Sequence, residues 1–146
     1  MQPLMTPVRE AAVAGRFYPG NREGLEKTLK EMIGPGPVRR ALGVMVPHAG
    51  YMYSGRVAGE VFGSVDLPGK FIILGPNHTG LGSAASVMTS GVWRLLGGDA
   101  VLDDRLAAAI RSHSSILQSD ERAPLSEPSS RGPLPFRQCT TVHLRC

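Results

Sequence analysis

Two histidines carry the functional question in this chain. His48 stands in Pro47-His48-Ala49-Gly50-Tyr51-Met52-Tyr53, directly after the apolar run Ala41-Leu-Gly-Val-Met-Val46. His78 stands in Gly75-Pro76-Asn77-His78, directly after Phe71-Ile-Ile-Leu74. Each histidine lies just past the end of a strand-like run, where functional loops of open α/β sheets cluster. Neutral imidazole is the commonest protein ligand for zinc, iron and copper. If the two strands are neighbours, the loops start ~5 Å apart and both rings can converge on one ion. A non-haem iron facial triad needs a carboxylate besides two histidines, and a catalytic zinc needs three protein ligands. No acidic residue in positions 1–110 occupies a comparable strand end, so the visible site is half a site.

The same residues admit a plainer reading, in which both histidines satisfy loop backbone groups while Pro47 and Pro76 fix the turns. Asn77 either orients a ligand or makes a turn. Tyr51 and Tyr53 either line a pocket or pack beside the strand. Both alternatives stand open at this point. Ser54 reads as a helix cap rather than a nucleophile, and no G-x-S-x-G elbow is present. The Gly80-Leu-Gly82 loop lacks the spacing and lysine of a phosphate cradle. His113 and His143 fall at the edge of, or inside, a weakly patterned tail and receive no role.

The elements that must position the pair follow from periodicity and turn signals. Asn21 caps an expected helix whose Leu25, Leu29, Met32 and Ile33 share a face, and Gly34-Pro-Gly-Pro37 ends it. A strand is expected over 41–46; its continuous apolar character suits a parallel strand covered on both faces. Ser54 is expected to cap a second helix to about Val65, with Val57, Val61, Phe62 and Val65 inward and Gly59 and Gly63 allowing close packing. A strand over 70–74 would complete a strand–helix–strand crossover and predicts parallel pairing. A weaker strand is expected near 86–89, and a helix over about 103–112 capped by Asp103. Residues 113–146 are rich in Ser, Pro and Arg without a period and read as a poorly ordered tail after an organised part over 1–112.

Composition narrows the function classes. The 146 residues are 42% hydrophobic, which fits a globular domain. The net charge of +4 is thinly spread: residues 1–110 hold 11 Lys/Arg against 9 Asp/Glu, and residues 111–146 hold 5 against 3. Such a distribution gives no basic stripe and argues against nucleic acid. No apolar run reaches the ~20 residues of a membrane span, and the first residues lack the pattern of a secretory signal, so no membrane and a cytoplasmic location are the expectations. Cys139 and Cys146 have neither zinc-finger nor redox-motif spacing.

Several linked motifs identify a family. Arg9-Glu-Ala, Ala14-Gly15-Arg16-Phe17-Tyr18-Pro19, Val46-Pro47-His48-Ala49-Gly50-Tyr51, Ser54-Gly55 and Ile73-Leu74-Gly75-Pro76-Asn77-His78 together resemble the Memo-like family, whose prokaryotic members are also called AmmeMemoRadiSam system protein B. The resemblance is collinear from about residue 8 to residue 120. It implies an α/β fold with a mostly parallel sheet and flanking helices, related to LigB-type class III extradiol dioxygenases. It also implies a metal-type pocket to which His48 and His78 contribute, with Fe(II) or another divalent transition metal as the cofactor. The family's remaining pocket residues, an Asp, a His and a Cys, come from later in its chain. Iron-dependent oxygen chemistry on a small substrate is the enzymatic analogy. A ligand-, metal- or peptide-binding adaptor role is the alternative, and the prokaryotic group name implies a link to AMMECR1-like and radical-SAM proteins.

The tail departs from the family pattern. Members continue as an aspartate, then A-H, then E-H-S-I-E-V-Q-L-P-F-L-Q. Here Asp120, Ala123, Glu127, Ser129, Leu134-Pro135-Phe136 and Gln138 keep the frame, but Pro124 and Pro128 stand where histidines are expected. The resemblance fades after Gln138. These features lead to the expectation of an incomplete domain read from a damaged or frameshifted gene, carrying half a site and no turnover.

Overall fold

The computed structural model describes residues 7–11, 13–78, 80–120 and 135–136. Its content is mixed α/β: three helices and five two-residue strands among the described residues. The first helix, α1 (Arg22–Met32), forms where periodicity places it. The Asn21 side chain accepts a hydrogen bond from the Gly24 N–H at 2.8 Å, which satisfies one of the amide donors orphaned at a helix start. Leu25 and Leu29 are buried, and Met32 and Ile33 pack against the same core.

The second helix, α2 (Tyr51–Gly63), starts four residues earlier than a Ser54 cap would have it, with Gly50 as its cap residue. The Ser54 hydroxyl donates to the Ala49 carbonyl at 3.2 Å and does not cap the helix. The entry is set instead by Tyr51, whose N–H donates to the Phe17 carbonyl at 2.7 Å and whose side chain is buried. The inward face is Tyr51, Ala58 and Phe62 with Gly55 and Gly59, while Val57 is exposed, unlike the expected apolar stripe. The glycines explain the difference, because they let α2 ride directly on α1. A Cβ at Gly59 would collide with the Met32 carbonyl, and one at Gly63 would sit 2.6 Å from the Gly34 carbonyl oxygen. Backbone cannot rotate away as a side chain can. Gly59→Ala is therefore expected to destabilise the chain by about 1–3 kcal/mol through forced separation of α1 and α2. Thermal unfolding checks this, with Gly69→Ala, where the added Cβ meets open space, as the neutral control.

The sheets are small and do not use the two apolar runs. β1 (Val8–Arg9) pairs in parallel with β3 (Val92–Trp93), and β3 pairs antiparallel with β4 (Ala100–Val101). Separately, β2 (Ser86–Val87) pairs in parallel with β5 (Gln118–Ser119). The expected strand near 86–89 thus exists as β2. The expected strands over 41–46 and 70–74 do not form ladders, which corrects the expected sheet. A parallel strand with a continuous apolar sequence needs neighbours and cover on both faces. Here Leu42, Val44, Met45, Ile72 and Leu74 are exposed. The crossover nevertheless keeps its course. Arg39 and Val65 form an isolated parallel bridge, with Arg39 N–H donating to the Ser64 carbonyl and Asp66 N–H to the Arg39 carbonyl.

Two apolar clusters hold these pieces. Val13, Tyr18, Leu25, Leu29, Tyr51, Ala58, Phe62 and Phe136 form the first, with Val46 packed against it. Met88, Trp93, Leu95 and Ala100 form the second, against which Phe71 packs. The Arg9 guanidinium lies over the Trp93 ring, 4.2 Å from its centre. Phe136 comes from the segment that sequence patterning assigns to the tail, and it is fully buried. Apart from Pro135 and Phe136, the segment beyond Asp120, including Pro124, Pro128, Cys139, His143 and Cys146, lies outside the described residues.

The last helix, α3 (Asp104–Ser112), carries its expected cap. Asp103 accepts from the Leu106 N–H at 3.0 Å and also pairs with the Lys70 ammonium. The Lys70 hydrogen bond, then the Leu106 amide, hold the Asp103 carboxyl below its usual range. A carboxyl whose pKa is lower folded than unfolded stabilises the fold above its unfolded value of about 3.9. That contribution is lost as pH falls through the lower folded value. Asp103→Asn is expected to lower the melting temperature at neutral pH and to flatten the acid limb below about pH 4. Melting curves of both proteins from neutral to acid pH read the difference.

Candidate metal-type histidine pair

Each histidine is set beside a fixed point. His48 lies three residues before Tyr51, whose ring packs 5.4 Å from Tyr18 and 4.8 Å from Phe136, centre to centre. Gly50 is the cap residue of α2, and a Cβ there would meet the Phe17 backbone. His78 follows Asn77, whose side chain closes the next turn from within. Its Oδ1 accepts from the Gly80 N–H at 3.0 Å and its Nδ2 donates to the Leu81 carbonyl at 2.8 Å. Gly80 takes a φ of +65°, a left-handed turn conformation that glycine adopts without strain. Of its two open roles, Asn77 therefore makes the turn. The Gly80-Leu-Gly82 loop is part of that turn, and Ser83 ties its far end to Asp120 and Gln118.

Tyr51, considered as a pocket-lining residue, stands in the core at 5% exposure, with its ring committed to Tyr18 and Phe136. Tyr53 projects to solvent. His113 closes α3, its Nδ1 lying 2.8 Å from the Ala109 carbonyl oxygen. It belongs to a helix terminus.

The two loop histidines come together. Their ring centres are 5.2 Å apart and the planes are inclined at 54°. Both side chains are exposed. A metal–nitrogen bond of about 2.1 Å plus about 1.1 Å to the ring centre puts each centre about 3.2 Å from a shared ion. Two such rings at angles between octahedral and tetrahedral have centres about 4.5–5.2 Å apart. The observed separation falls at the tetrahedral end of that span, so the spacing of the ring centres is one that a shared ion would accept. Among the described residues no third His, Cys, Asp or Glu joins them. No helix among the described residues is long and apolar enough to cross a membrane.

Comparison with known proteins agrees with the motifs. The sequence model of Memo-like proteins matches residues 9–145, running through the tail further than the motifs alone carry the likeness. A MEMO1 family protein of Methanothermobacter thermautotrophicus is 40% identical, the match covering 94% of this chain and 54% of the relative. One from Aquifex aeolicus is 41% identical over 90% of this chain and 49% of its own length. A third, from Thermococcus onnurineus, is 42% identical over 90% of this chain and 47% of its own. The chain spans about half the length of these curated relatives. With the whole motif set in collinear order and the family match covering nearly all of its residues, this chain belongs to the Memo-like family.

Proposed function

We propose that His48 and His78 form the two-histidine part of a divalent transition-metal site of the type used by non-haem iron extradiol dioxygenases. The observation that carries this reading is the 5.2 Å ring separation, reached by two loops that are far apart in sequence and pinned independently. A bound Fe(II) would supply Lewis-acid and oxygen chemistry. The chain's own contribution is to present two imidazoles at a fixed spacing, through Tyr51 on one side and Asn77 on the other. With two ligands from the described residues, the chain binds metal weakly and does not turn over a substrate. In this reading the remaining ligands come from outside the described residues, and a link to AMMECR1-like and radical-SAM proteins would also operate.

Anaerobic titration of the 146-residue chain with Fe(II) or Co(II) tests the metal reading. Wild type is expected to bind one ion, and the His48→Ala/His78→Ala variant to lose it. Unchanged metal content in the variant would defeat the assignment. Oxygen uptake with catechol-type substrates tests the activity; no turnover is expected from this chain, and robust turnover would show that two histidines suffice.

A further inference from the structure

The two arms of the histidine pair are held by different means. On the His48 side, the Tyr51 N–H donates to the Phe17 carbonyl at 2.7 Å, and the buried Tyr51 ring ties the loop into the first apolar cluster. On the His78 side, the Asn77 side chain closes the following turn onto Gly80 and Leu81. Those two bonds are local: they fix the shape of the turn and not its place in the molecule. A long-range tie follows five residues after His78. The Ser83 N–H donates to Asp120 Oδ2 at 3.0 Å. The Ser83 hydroxyl lies 3.1 Å from the same oxygen and 2.8 Å from Gln118 Oε1, so its one proton serves both acceptors. Both Ser83 and Asp120 are half-buried. Hydrogen bonds to an ionised carboxylate are roughly twice as strong as neutral ones.

The base of this tie is firm. Asp120 stands one residue past β5, which pairs with β2, and the Gln118 N–H donates to the Ala85 carbonyl at 3.0 Å. Met88, one residue past β2, is buried in the second apolar cluster. We propose that Asp120 is a positioning residue for His78: through Ser83 it holds the His78 turn against the β2–β5 pair and so keeps the two imidazole rings together. Without the carboxylate the turn keeps its shape, but its place is no longer set from that end. Where the rings share an ion, which rests on the metal reading above, a second arm that swings is held at a lower effective concentration. Groups that orient ligands from behind are typically worth about 10- to 100-fold in metal affinity.

The metal-free chain tests the positioning by itself. In EDTA, nuclear Overhauser cross-peaks between the two imidazole rings are expected in wild type, whose ring centres lie 5.2 Å apart. Asp120→Ala is expected to lose them while the cross-peaks between Tyr51 and Tyr18, 5.4 Å apart centre to centre, persist. Asp120→Asn is expected to keep them, because one amide oxygen can accept from Ser83 as Oδ2 does. Co(II) titration adds the metal reading: Asp120→Ala should bind about tenfold more weakly than wild type, and Asp120→Asn close to wild type. Inter-ring cross-peaks that survive in Asp120→Ala, or that wild type lacks, overturn the proposal. So does an asparagine variant that behaves as the alanine one. Loss of the Tyr51–Tyr18 cross-peaks together with the inter-ring ones would make Asp120 a general support of the fold and overturn it as well. A wild-type chain that binds no Co(II) defeats the metal reading instead, and the ring cross-peaks then decide the role of Asp120 alone.

Discussion

Phe136→Ala is expected to cost about 3–5 kcal/mol of unfolding free energy, the usual range for removing a buried phenylalanine. The residue has no exposed surface. Its ring stacks on Phe62 at 5.5 Å with an 11° inclination and lies 4.8 Å from Tyr51. Such pairs add about 0.5–1.5 kcal/mol beyond burial itself. Against a total stability of roughly 5–15 kcal/mol, the loss is a large fraction of what holds a domain folded. The effect should also reach the histidine pair, because Phe136 backs Tyr51, and Tyr51 fixes the chain three residues after His48. Urea unfolding of wild type, Phe136→Leu and Phe136→Ala reads the series. The leucine variant should retain most of the stability, since it keeps apolar volume. A loss below about 1 kcal/mol for alanine would show that Phe136 is not seated against Tyr51 and Phe62.

That phenylalanine also shows where sequence patterning stops. α1 and α3 were legible because a short-range signal fixes each one: an Asn or Asp cap, a single apolar face and a terminating turn. The start of α2 was not, because it depends on the burial of Tyr51 and on a hydrogen bond to Phe17, more than thirty positions upstream. The inward face of α2 was misread for a related reason. Valine is the more apolar residue, but only glycine lets the Met32 carbonyl approach, and shape decided over hydropathy. The runs at 41–46 and 70–74 have the composition of strands, yet neither forms one. A ladder, however, is a property of two chains, and local sequence cannot supply the neighbour. Phe136 sits in a segment without periodicity, so nothing local marks it as core. The histidine pair was legible in its placement at the ends of two parallel segments. Its spacing came from the fold.

The metal reading makes a further demand that a simple loss of binding does not. Two ligands on one ion act as a chelate: once one imidazole is bound, the second is held at a high effective concentration, and the gain exceeds either contact alone. Removing either histidine forfeits that gain entirely. His48→Ala and His78→Ala are each expected to weaken Co(II) or Fe(II) binding by on the order of 10²-fold. The double variant should be only slightly weaker than either single one, so the cycle should show strong non-additivity. Two independent weak sites would behave differently, each single variant losing one ion and the double losing both. Stability supplies the control. Both side chains are exposed and neither belongs to the two apolar clusters, so the metal-free variants should melt within a degree or two of wild type. A single variant that binds metal normally would remove its histidine from the site. Loss of binding with a matching loss of folding would instead assign the histidines to the loops' architecture.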